Sequence, residues 1–244
     1  MGSAALLRPW RPSAPRRLLR WVVRAGWSIW RPWLKRRLAR VHLEEVAGFP
    51  IVVLPGVHSP AVFRSGLVLA EAIRRELARL EGTAERRALD LGTGTGIGAL
   101  ISARAGWRVV AVDISSQAAR CARLNAILNR LEDRIEVRVG DLFDPVRGER
   151  FDLITFNPPF YQGEASRDEE YSWRAPGIFS RFAAGLSEVL NPGGYALVVF
   201  SSDGDEEAFF DALIGAGLEV RPVSGRDFGN EIMTVYRIAP RWDR

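Results

Sequence analysis

The chain has 244 residues, of which 47% are hydrophobic and 26% charged, and its net charge is +5. This ordinary globular composition excludes a globally disordered chain, and the length is enough for one full α/β core with a short extension. A single cysteine, Cys121, excludes an internal disulfide. No apolar run reaches the roughly 18 residues of a membrane-spanning helix, so we predict a cytoplasmic protein.

The positive charge is concentrated at the N-terminus. Residues 1–40 contain ten arginines and Lys35 but no acidic residue, whereas the rest of the chain contains the other 23 of the 34 basic residues and all 29 acidic ones. We therefore divide the chain into a basic, Trp- and Arg-rich N-terminal arm, residues 1–47, and a larger domain, residues 48–244. The pattern of apolar and basic residues from residue 16 to about residue 46 predicts that the arm is partly helical.

Five tryptophans are interleaved with the charges of the arm: Trp10, Trp21, Trp27, Trp30 and Trp33. Cations mixed with aromatic side chains fit three roles. The arm would bind RNA through phosphates and stacked bases, attach peripherally to an anionic membrane surface, or pack its apolar side on the domain. The sequence leaves the three open.

The domain begins with a predicted strand at 49–54, a turn at Pro55-Gly56 and a helix at 66–80. After Gly82, strands alternate with helices: strands at 87–91, 108–112, 135–139, 151–156 and 194–200, helices at 97–105, 116–129, 178–190 and 205–216, and closing strands at 218–223 and 231–238. This alternation predicts an α/β fold, a doubly wound Rossmann-like seven-stranded sheet that is mostly parallel with an antiparallel edge strand.

A glycine-rich turn follows the first strand of this alternation and precedes its first helix. It comprises residues 90–98, Asp90-Leu91-Gly92-Thr93-Gly94-Thr95-Gly96-Ile97-Gly98. A turn of this kind lets the backbone approach a nucleotide-like ligand closely at the carboxyl edge of the sheet. Taken alone it also suits a nicotinamide cofactor. The carboxylate of Asp90, however, favours a cationic amino acid end over a pyrophosphate.

Acidic residues also end the next two strands. Asp113 stands where a carboxylate can accept hydrogen bonds from both hydroxyls of a ribose, and Asp141, in Gly140-Asp141-Leu142, stands where it can reach an adenine amino group. An acid after each of three successive strands favours an adenosine cofactor with a cationic end. The alternative is that Asp113 and Asp141 are helix caps or turn residues.

The tetrapeptide Asn157-Pro158-Pro159-Phe160 opens the loop after the strand at 151–156. The Asn157 side-chain oxygen and the Pro158 carbonyl are two acceptors that would hold a planar NH₂ group, the prolines would fix their direction, and Phe160 would offer a stacking face. The alternative is a tight turn after a strand. No catalytic base is required, so we predict structural or surface positions for His42 and His58.

Together these segments resemble the successive motifs of class I S-adenosylmethionine-dependent methyltransferases of the Asn-Pro-Pro-aromatic branch. That branch includes HemK-like glutamine methyltransferases and the guanine-N2 and adenine-N6 methyltransferases. The similarity covers roughly residues 48–240 and includes an upstream segment, residues 55–60. It implies S-adenosyl-L-methionine as the cofactor and no metal. The implied cofactor-binding residues are Asp90, Gly92, Thr93, Gly94, Gly96, Asp113, Ile114, Asp141, Leu142 and Asn157, and the implied catalytic residues are Asn157, Pro158, Pro159 and Phe160.

The resemblance implies N-methylation of a planar amino group in a macromolecule, either a protein glutamine amide or an exocyclic amine of RNA or DNA. Two departures concern the substrate. The HemK-like proteins have a glycine-rich stretch where this chain has Trp173-Arg174-Ala175-Pro176-Gly177, and a long helical recognition domain where it has the arm. The alternatives are methylation of a small, possibly membrane-associated metabolite, and a protein that binds the cofactor without chemistry.

Overall fold

The computed structural model describes residues 39–80, 85–160 and 177–241. The arm up to residue 38, with its five tryptophans, and the segment 161–176, with most of the departure at 173–177, lie outside the described residues. None of the helices within the described ranges is long and apolar enough to cross a membrane.

The described chain begins with a two-stranded hairpin. Strand β1 (His42–Val46) pairs antiparallel with β2 (Phe49–Val53). The two residues between them, Ala47 and Gly48, have φ of 52° and 79°, as in the tight turns whose twist matches paired strands. The predicted arm helix is therefore wrong for residues 42–46. The buried side chains of Phe49, Ile51 and Val53 anchor β2 in the core, and β1 follows because the turn folds it back onto β2.

The remaining elements alternate as predicted. The helices are α1 (Arg64–Leu77), α2 (Ile97–Arg104), α3 (Ser116–Leu128), α4 (Ile178–Val189) and α5 (Glu206–Gly215). The strands are β3 (Arg87–Leu91), β4 (Arg108–Asp113), β5 (Ile135–Val139), β6 (Phe151–Phe156), β7 (Leu190–Ser201), β8 (Leu218–Asp227) and β9 (Ile232–Pro240). A 3₁₀ turn, Asp144–Val146, separates β5 from β6.

Strands β3 to β9 form one sheet in the order β5-β4-β3-β6-β7-β9-β8. All neighbours are parallel except β9, which runs antiparallel to both β7 and β8. The predicted seven-stranded, mostly parallel, doubly wound sheet is confirmed. The antiparallel pairing arises because β9 inserts between β7 and the edge strand β8, as a short connection from β8 allows.

The centre of the sheet is buried on both faces, so its strands are nearly continuous apolar runs. Leu89 of β3, Leu153 and Ile154 of β6, and Leu197 of β7 have no exposed surface. An aromatic cluster fills the space between β7, α4 and α5: Phe200 stacks on Phe209 with ring centroids 4.4 Å apart, and Phe179 meets both rings edge-on. This packing fixes the part of the sheet from which the tetrapeptide emerges.

The order of the strands places the predicted motifs at one edge of the sheet. Strand β3 lies between β4 and β6, so the chain winds in opposite directions on its two sides, and ligands bind in the crevice at such a switch point. The register aligns Leu91 with Val112 of β4 on one side and with Phe156 of β6 on the other. The residues that follow these strands therefore meet above the end of β3.

Candidate active site

A cavity of about 320 Å³ lies at this carboxyl edge. Its walls are the loops after β3, β4, β5 and β6, together with residues 56–58 of the upstream segment and the beginning of α1. The cavity brings together most of the predicted site residues: Gly92, Gly94, Asp113, Ile114, Asp141, Leu142, Asn157, Pro158, Pro159 and Phe160. A smaller cavity of about 70 Å³ shares several of these residues and is also lined by Asp90 and Thr93.

Gly96 is the predicted cofactor residue that lines neither of these two cavities. Its φ is 84°, and it precedes the first residue of α2. A β-carbon at this position would lie 3.2 Å from the backbone and side chain of Ala122. The structure therefore gives Gly96 a packing role, because it lets α3 approach the turn closely.

The glycine-rich turn is fastened to β4 by its backbone. The Thr93 N–H donates to the Val112 carbonyl at 3.0 Å, and the Gly94 N–H donates to Asp113 Oδ2 at 2.9 Å. Gly92 and Gly94 have φ of 59° and 55°, which glycine adopts without strain. The turn thus presents its backbone to the cavity in a fixed conformation.

Asp90 organises the turn from below. Its Oδ2 accepts hydrogen bonds from Thr93 Oγ1 at 2.6 Å and the Ala99 N–H at 3.1 Å, and its Oδ1 accepts one from Thr155 Oγ1 at 2.6 Å. Burial raises the pKa of this carboxyl to about 6, even though the three hydrogen bonds oppose the shift. A cationic ligand bound next to this carboxyl would favour its ionised form and so lower its pKa.

This raised pKa predicts a pH dependence. Between about pH 4 and pH 6 the folded protein keeps the Asp90 proton, whereas an unfolded chain has lost it, so the contribution of Asp90 to the stability of the cofactor-free protein falls as the pH rises through that window. The shift corresponds to a loss of up to about 3 kcal/mol. Urea unfolding of the wild type and of Asp90→Asn at a series of pH values measures this contribution, and we expect the stability difference between the two proteins to change across the window. Superimposable profiles for the two proteins would contradict this.

Asp113 ends β4 and holds two backbone N–H groups. Its Oδ2 accepts from Gly94, and its Oδ1 accepts from Ser115 at 2.9 Å. Burial raises its pKa, and these two hydrogen bonds counteract the rise. The N-cap of α3 is Ser115, whose side chain accepts from Ala118 N–H at 3.3 Å. Asp113 is therefore a turn residue as well as a cavity residue, and its contact with a ribose stays a prediction.

Asp141 and Leu142 form the wall of the cavity after β5. Asp141 makes an ion pair with Arg181 of α4, a cavity residue that the sequence interpretation missed. No local pattern identifies Arg181, because the pair joins residues 40 positions apart. Leu142 has φ of 45°, an uncommon conformation for a residue with a β-carbon, and such strain occurs often at ligand sites. The predicted contact with adenine is untested.

Asn157 lies where β6 ends, and its side chain has a defined partner. Asn157 Nδ2 donates to Ser65 Oγ of α1 at 3.1 Å. Pro158 is buried. Phe160 is 7% exposed and meets Phe200 edge-on at 5.4 Å, and its carbonyl accepts from the Asp205 N–H at 3.1 Å. The tetrapeptide is thus a rigid part of the cavity wall, although little of the Phe160 ring remains for stacking.

The upstream segment folds over the glycine-rich turn. His58, for which we predicted a structural or surface position, lines both cavities, and its ring lies 4.3 Å from that of Phe63. Burial lowers the pKa of His58 to about 4, so the imidazole is neutral at pH 7. His42 instead bonds the Arg40 carbonyl and Glu44, away from both cavities. The sequence offered no signal for the position of His58, because only the fold of the segment decides it.

Asn125 of α3 is a further residue that the sequence interpretation missed, and its side chain is fully buried. Its Oδ1 accepts from the Val52 N–H at 2.7 Å, and its Nδ2 donates at 2.8 Å to the carbonyls of Val52 and Thr95. One side chain therefore ties the β1–β2 hairpin to the glycine-rich turn. In the described parts of the chain, no group of three or more His, Cys, Asp or Glu side chains could hold a metal ion.

Comparison with known proteins identifies the family. A family model described as the methyltransferase small domain matches residues 49–221. The chain belongs to this family. Its fold agrees with that assignment, because a mostly parallel seven-stranded sheet carries the glycine-rich turn and the Asn-Pro-Pro-Phe loop at one edge. Membership of the methyltransferase small domain family implies S-adenosylmethionine as the cofactor.

Several relatives of this methyltransferase small domain have curated names. The chain is 32% identical over 145 residues to the tRNA1(Val) (adenine(37)-N6)-methyltransferase of Phocaeicola vulgatus. The aligned region covers 55% of this chain and 59% of that protein. The chain is 30% identical over 187 residues to a putative protein N5-glutamine methyltransferase of Methanocaldococcus jannaschii, with 72% and 88% covered. The chain spans about half the length of the curated tRNA relatives that it matches.

A solved structure shares the fold of this methyltransferase small domain. It is the 16S rRNA N2 G1207 methyltransferase of T. thermophilus in complex with AdoMet and guanosine. The TM-score is 0.62 and the sequence identity is 26%, with 83% of this chain and 50% of that chain covered. The methylated groups named in these three proteins are a base of tRNA, a glutamine of a protein and a guanine of ribosomal RNA.

Proposed function

We propose that this chain transfers the methyl group of S-adenosylmethionine to a planar amino nitrogen of a macromolecule. The observation that carries the proposal is the position of Asn157 and Pro158. They lie on the wall of the same cavity that is lined by Gly92, Gly94 and Asp113. A site for an adenosine cofactor and a pair of acceptors for an NH₂ group thus share one cavity.

The residues present fit the cofactor. A cavity of about 320 Å³ is of the size that holds a small organic ligand. We assign Gly92, Thr93 and Gly94 to the methionine end above the buried Asp90, Asp113 and Ile114 to the ribose, and Asp141 and Leu142 to the adenine. When bound, S-adenosylmethionine supplies an electrophilic methyl group on a sulfonium. A cationic ligand above Asp90 favours the ionised carboxylate, so its affinity is expected to rise as the pH passes about 6.

The protein acts on the acceptor nitrogen chiefly by positioning it. An amino group conjugated to a carbonyl or a ring has little lone-pair density on its nitrogen. Two hydrogen-bond acceptors on its N–H groups direct that lone pair towards the methyl group. Asn157 Oδ1 accepts one N–H and the Pro158 carbonyl accepts the other, while Pro159 keeps the loop rigid. Both hydrogen bonds strengthen as positive charge develops on the nitrogen, so they stabilise the transition state more than the bound substrate.

The macromolecular substrate is supported by the relatives. The acceptors given in their names are a tRNA adenine, a ribosomal RNA guanine and a protein glutamine, and all three present a planar NH₂ group. Asn157 and Pro158 are suited to that shared group and do not distinguish a base from an amide. The part that residues 1–47 play, in binding RNA, an anionic membrane or the domain, remains a prediction.

The test is transfer of labelled methyl from S-adenosylmethionine into fractions of an extract from cells that lack this protein. Label in RNA, DNA or protein is expected, and digestion then identifies the modified base or residue. Asn157→Ala is the matched negative control. Label confined to small molecules or lipids would contradict the macromolecular substrate. Tight cofactor binding without label in any fraction would indicate a binding protein instead. Removal of residues 1–38 shows whether the arm contributes to substrate affinity.

A further inference from the structure

The side-chain amide of Asn157 can be oriented in two ways, and only one serves the proposed reaction. With its oxygen towards the acceptor, Asn157 accepts an N–H of the substrate. With its nitrogen there, the NH₂ group of Asn157 would face the NH₂ group of the substrate, and two donors cannot form a hydrogen bond. The structure has the first orientation, because Asn157 Nδ2 donates a hydrogen bond to Ser65 Oγ at 3.1 Å.

Ser65 is well placed to anchor the side chain of Asn157. It is the second residue of α1, it is 5% exposed, and it lines the cavity beside Asn157. Its hydroxyl does not cap the helix: the N-cap residue of α1 is Phe63, and this cap has no side-chain hydrogen bond. The hydrogen bond that the structure gives to Ser65 Oγ is the one with Asn157, across 92 positions of sequence.

The beginning of α1 is itself held in place from two sides. Arg64 Nη1 donates to Asn230 Oδ1 at 2.8 Å, and its guanidinium lies 4.6 Å from the centre of the Phe228 ring, in the connection between β8 and β9. On the other side, a β-carbon at Gly66 would lie 2.9 Å from the Pro60 side chain, so the upstream segment packs directly on the helix. A serine mounted in this way can position a second side chain accurately.

We infer that Ser65 is a positioning residue that anchors the side-chain amide of Asn157 beside the acceptor nitrogen, through the hydrogen bond from Asn157 Nδ2 to Ser65 Oγ. This inference rests on the proposed function. Ser65 acts on the reaction through Asn157.

Kinetics with purified full-length variants test the inference. Ser65→Ala is expected to lower kcat about 3–10-fold, the effect of one hydrogen bond, with the Kd for S-adenosylmethionine unchanged. Ser65→Thr keeps the hydroxyl and is expected to retain most of kcat, whereas Ser65→Val, of the same shape without the hydroxyl, is expected to behave like Ser65→Ala. Equal kcat values for the Thr and Val variants would overturn the inference.

A double-substitution cycle separates positioning from general support of the fold. If Ser65 acts through Asn157, adding Ser65→Ala to Asn157→Ala lowers kcat no further. Additive losses would mean that Ser65 acts by another route and would overturn the inference.

NMR of the Asn157 side chain tests the inference without turnover, and so separately from the proposed function. The side-chain amide of Asn157 gives ¹⁵N–¹H signals, which are assigned by their loss in Asn157→Asp. We expect these signals to shift in Ser65→Ala and Ser65→Val but not in Ser65→Thr. Unchanged signals in Ser65→Ala refute the positioning role, whatever the activity. Wild-type protein that methylates no acceptor refutes the proposed function, even where the signals shift as expected.

Discussion

Asn157→Ala is expected to lower kcat about 10–100-fold while the Kd for S-adenosylmethionine changes little. Alanine removes the oxygen that would accept an N–H of the acceptor, and a hydrogen bond that strengthens in the transition state corresponds to about 1.5–3 kcal/mol. The backbone of the loop should survive the change, because Pro158 is buried and the Phe160 carbonyl stays bonded to the Asp205 N–H. Isothermal titration with the cofactor and single-turnover methyl transfer measure the two quantities.

Asn129→Ala is the matched control for this prediction. Asn129 also uses its side-chain amide within the protein, donating at 2.9 Å to the carbonyls of Pro50 and Asn125, but it lies at the end of α3 and lines neither cavity. We expect its replacement to lower Tm and to leave kcat unchanged. A wild-type kcat in Asn157→Ala would show that the tetrapeptide is only a structural turn. A loss of cofactor affinity as large as the loss of kcat would show that Asn157 binds the cofactor.

Gly98→Ala is expected to destabilise the protein and to weaken cofactor binding strongly. A β-carbon at Gly98 would lie 2.5 Å from Asp90 Oδ1 and 2.9 Å from its carboxyl carbon. The carboxyl cannot move aside without breaking its hydrogen bonds with Thr93, Thr155 and the Ala99 N–H. Overpacking of this kind costs about 1–3 kcal/mol. Because Thr93 and Ala99 belong to the turn and to α2, the displacement reaches the cofactor site directly.

Gly215→Ala is the control, because Gly215 also lies in a helix, α5, and has no atom within 4 Å of an added β-carbon. That change is expected to be neutral or to stabilise by up to about 1 kcal/mol, since alanine restricts the unfolded chain more than glycine. Urea unfolding and cofactor titration compare the two variants. A Gly98→Ala protein with wild-type stability and affinity would show that the contact between Asp90 and α2 is dispensable.

Most of the fold could be predicted from the sequence because it is encoded locally. The central strands are mainly apolar, the edge strand β5 alternates apolar and charged residues, and each helix has its own periodicity, so β3, β5 and β6 match their predicted limits. The strands after α4 were predicted less well. β7 begins at Leu190, directly after α4, and β8 extends to Asp227. The beginning of β7 depends on the pairing of Leu190 with Phe151 of β6, and the end of β8 on the pairing of Asp227 with Ile232 of β9, which no local pattern shows.

The hairpin at the beginning of the domain illustrates the opposite case. Residues 42–46, His-Leu-Glu-Glu-Val, have no strong preference, and the basic residues before them extended the helical pattern in our prediction. Pairing with β2 made them a strand, because β2 is fixed in the core and the backbone groups of β1 find their partners there. Asn125 and Arg181 were missed for the same reason, since their contacts join segments distant in sequence.

The sequence by itself determined that this chain has a doubly wound sheet, with a glycine-rich turn, two further acidic residues and an Asn-Pro-Pro-Phe loop at the ends of its strands. Strand order then brings those ends together, as it does in every such sheet. Only the tertiary structure decided how each side chain is held. The side chain of Asp90 is held by a hydrogen bond from Thr155, 65 positions away, and that of Asn157 by a hydrogen bond to Ser65, 92 positions away. Local patterns carry no information about such partners, and the geometry of the site depends on them.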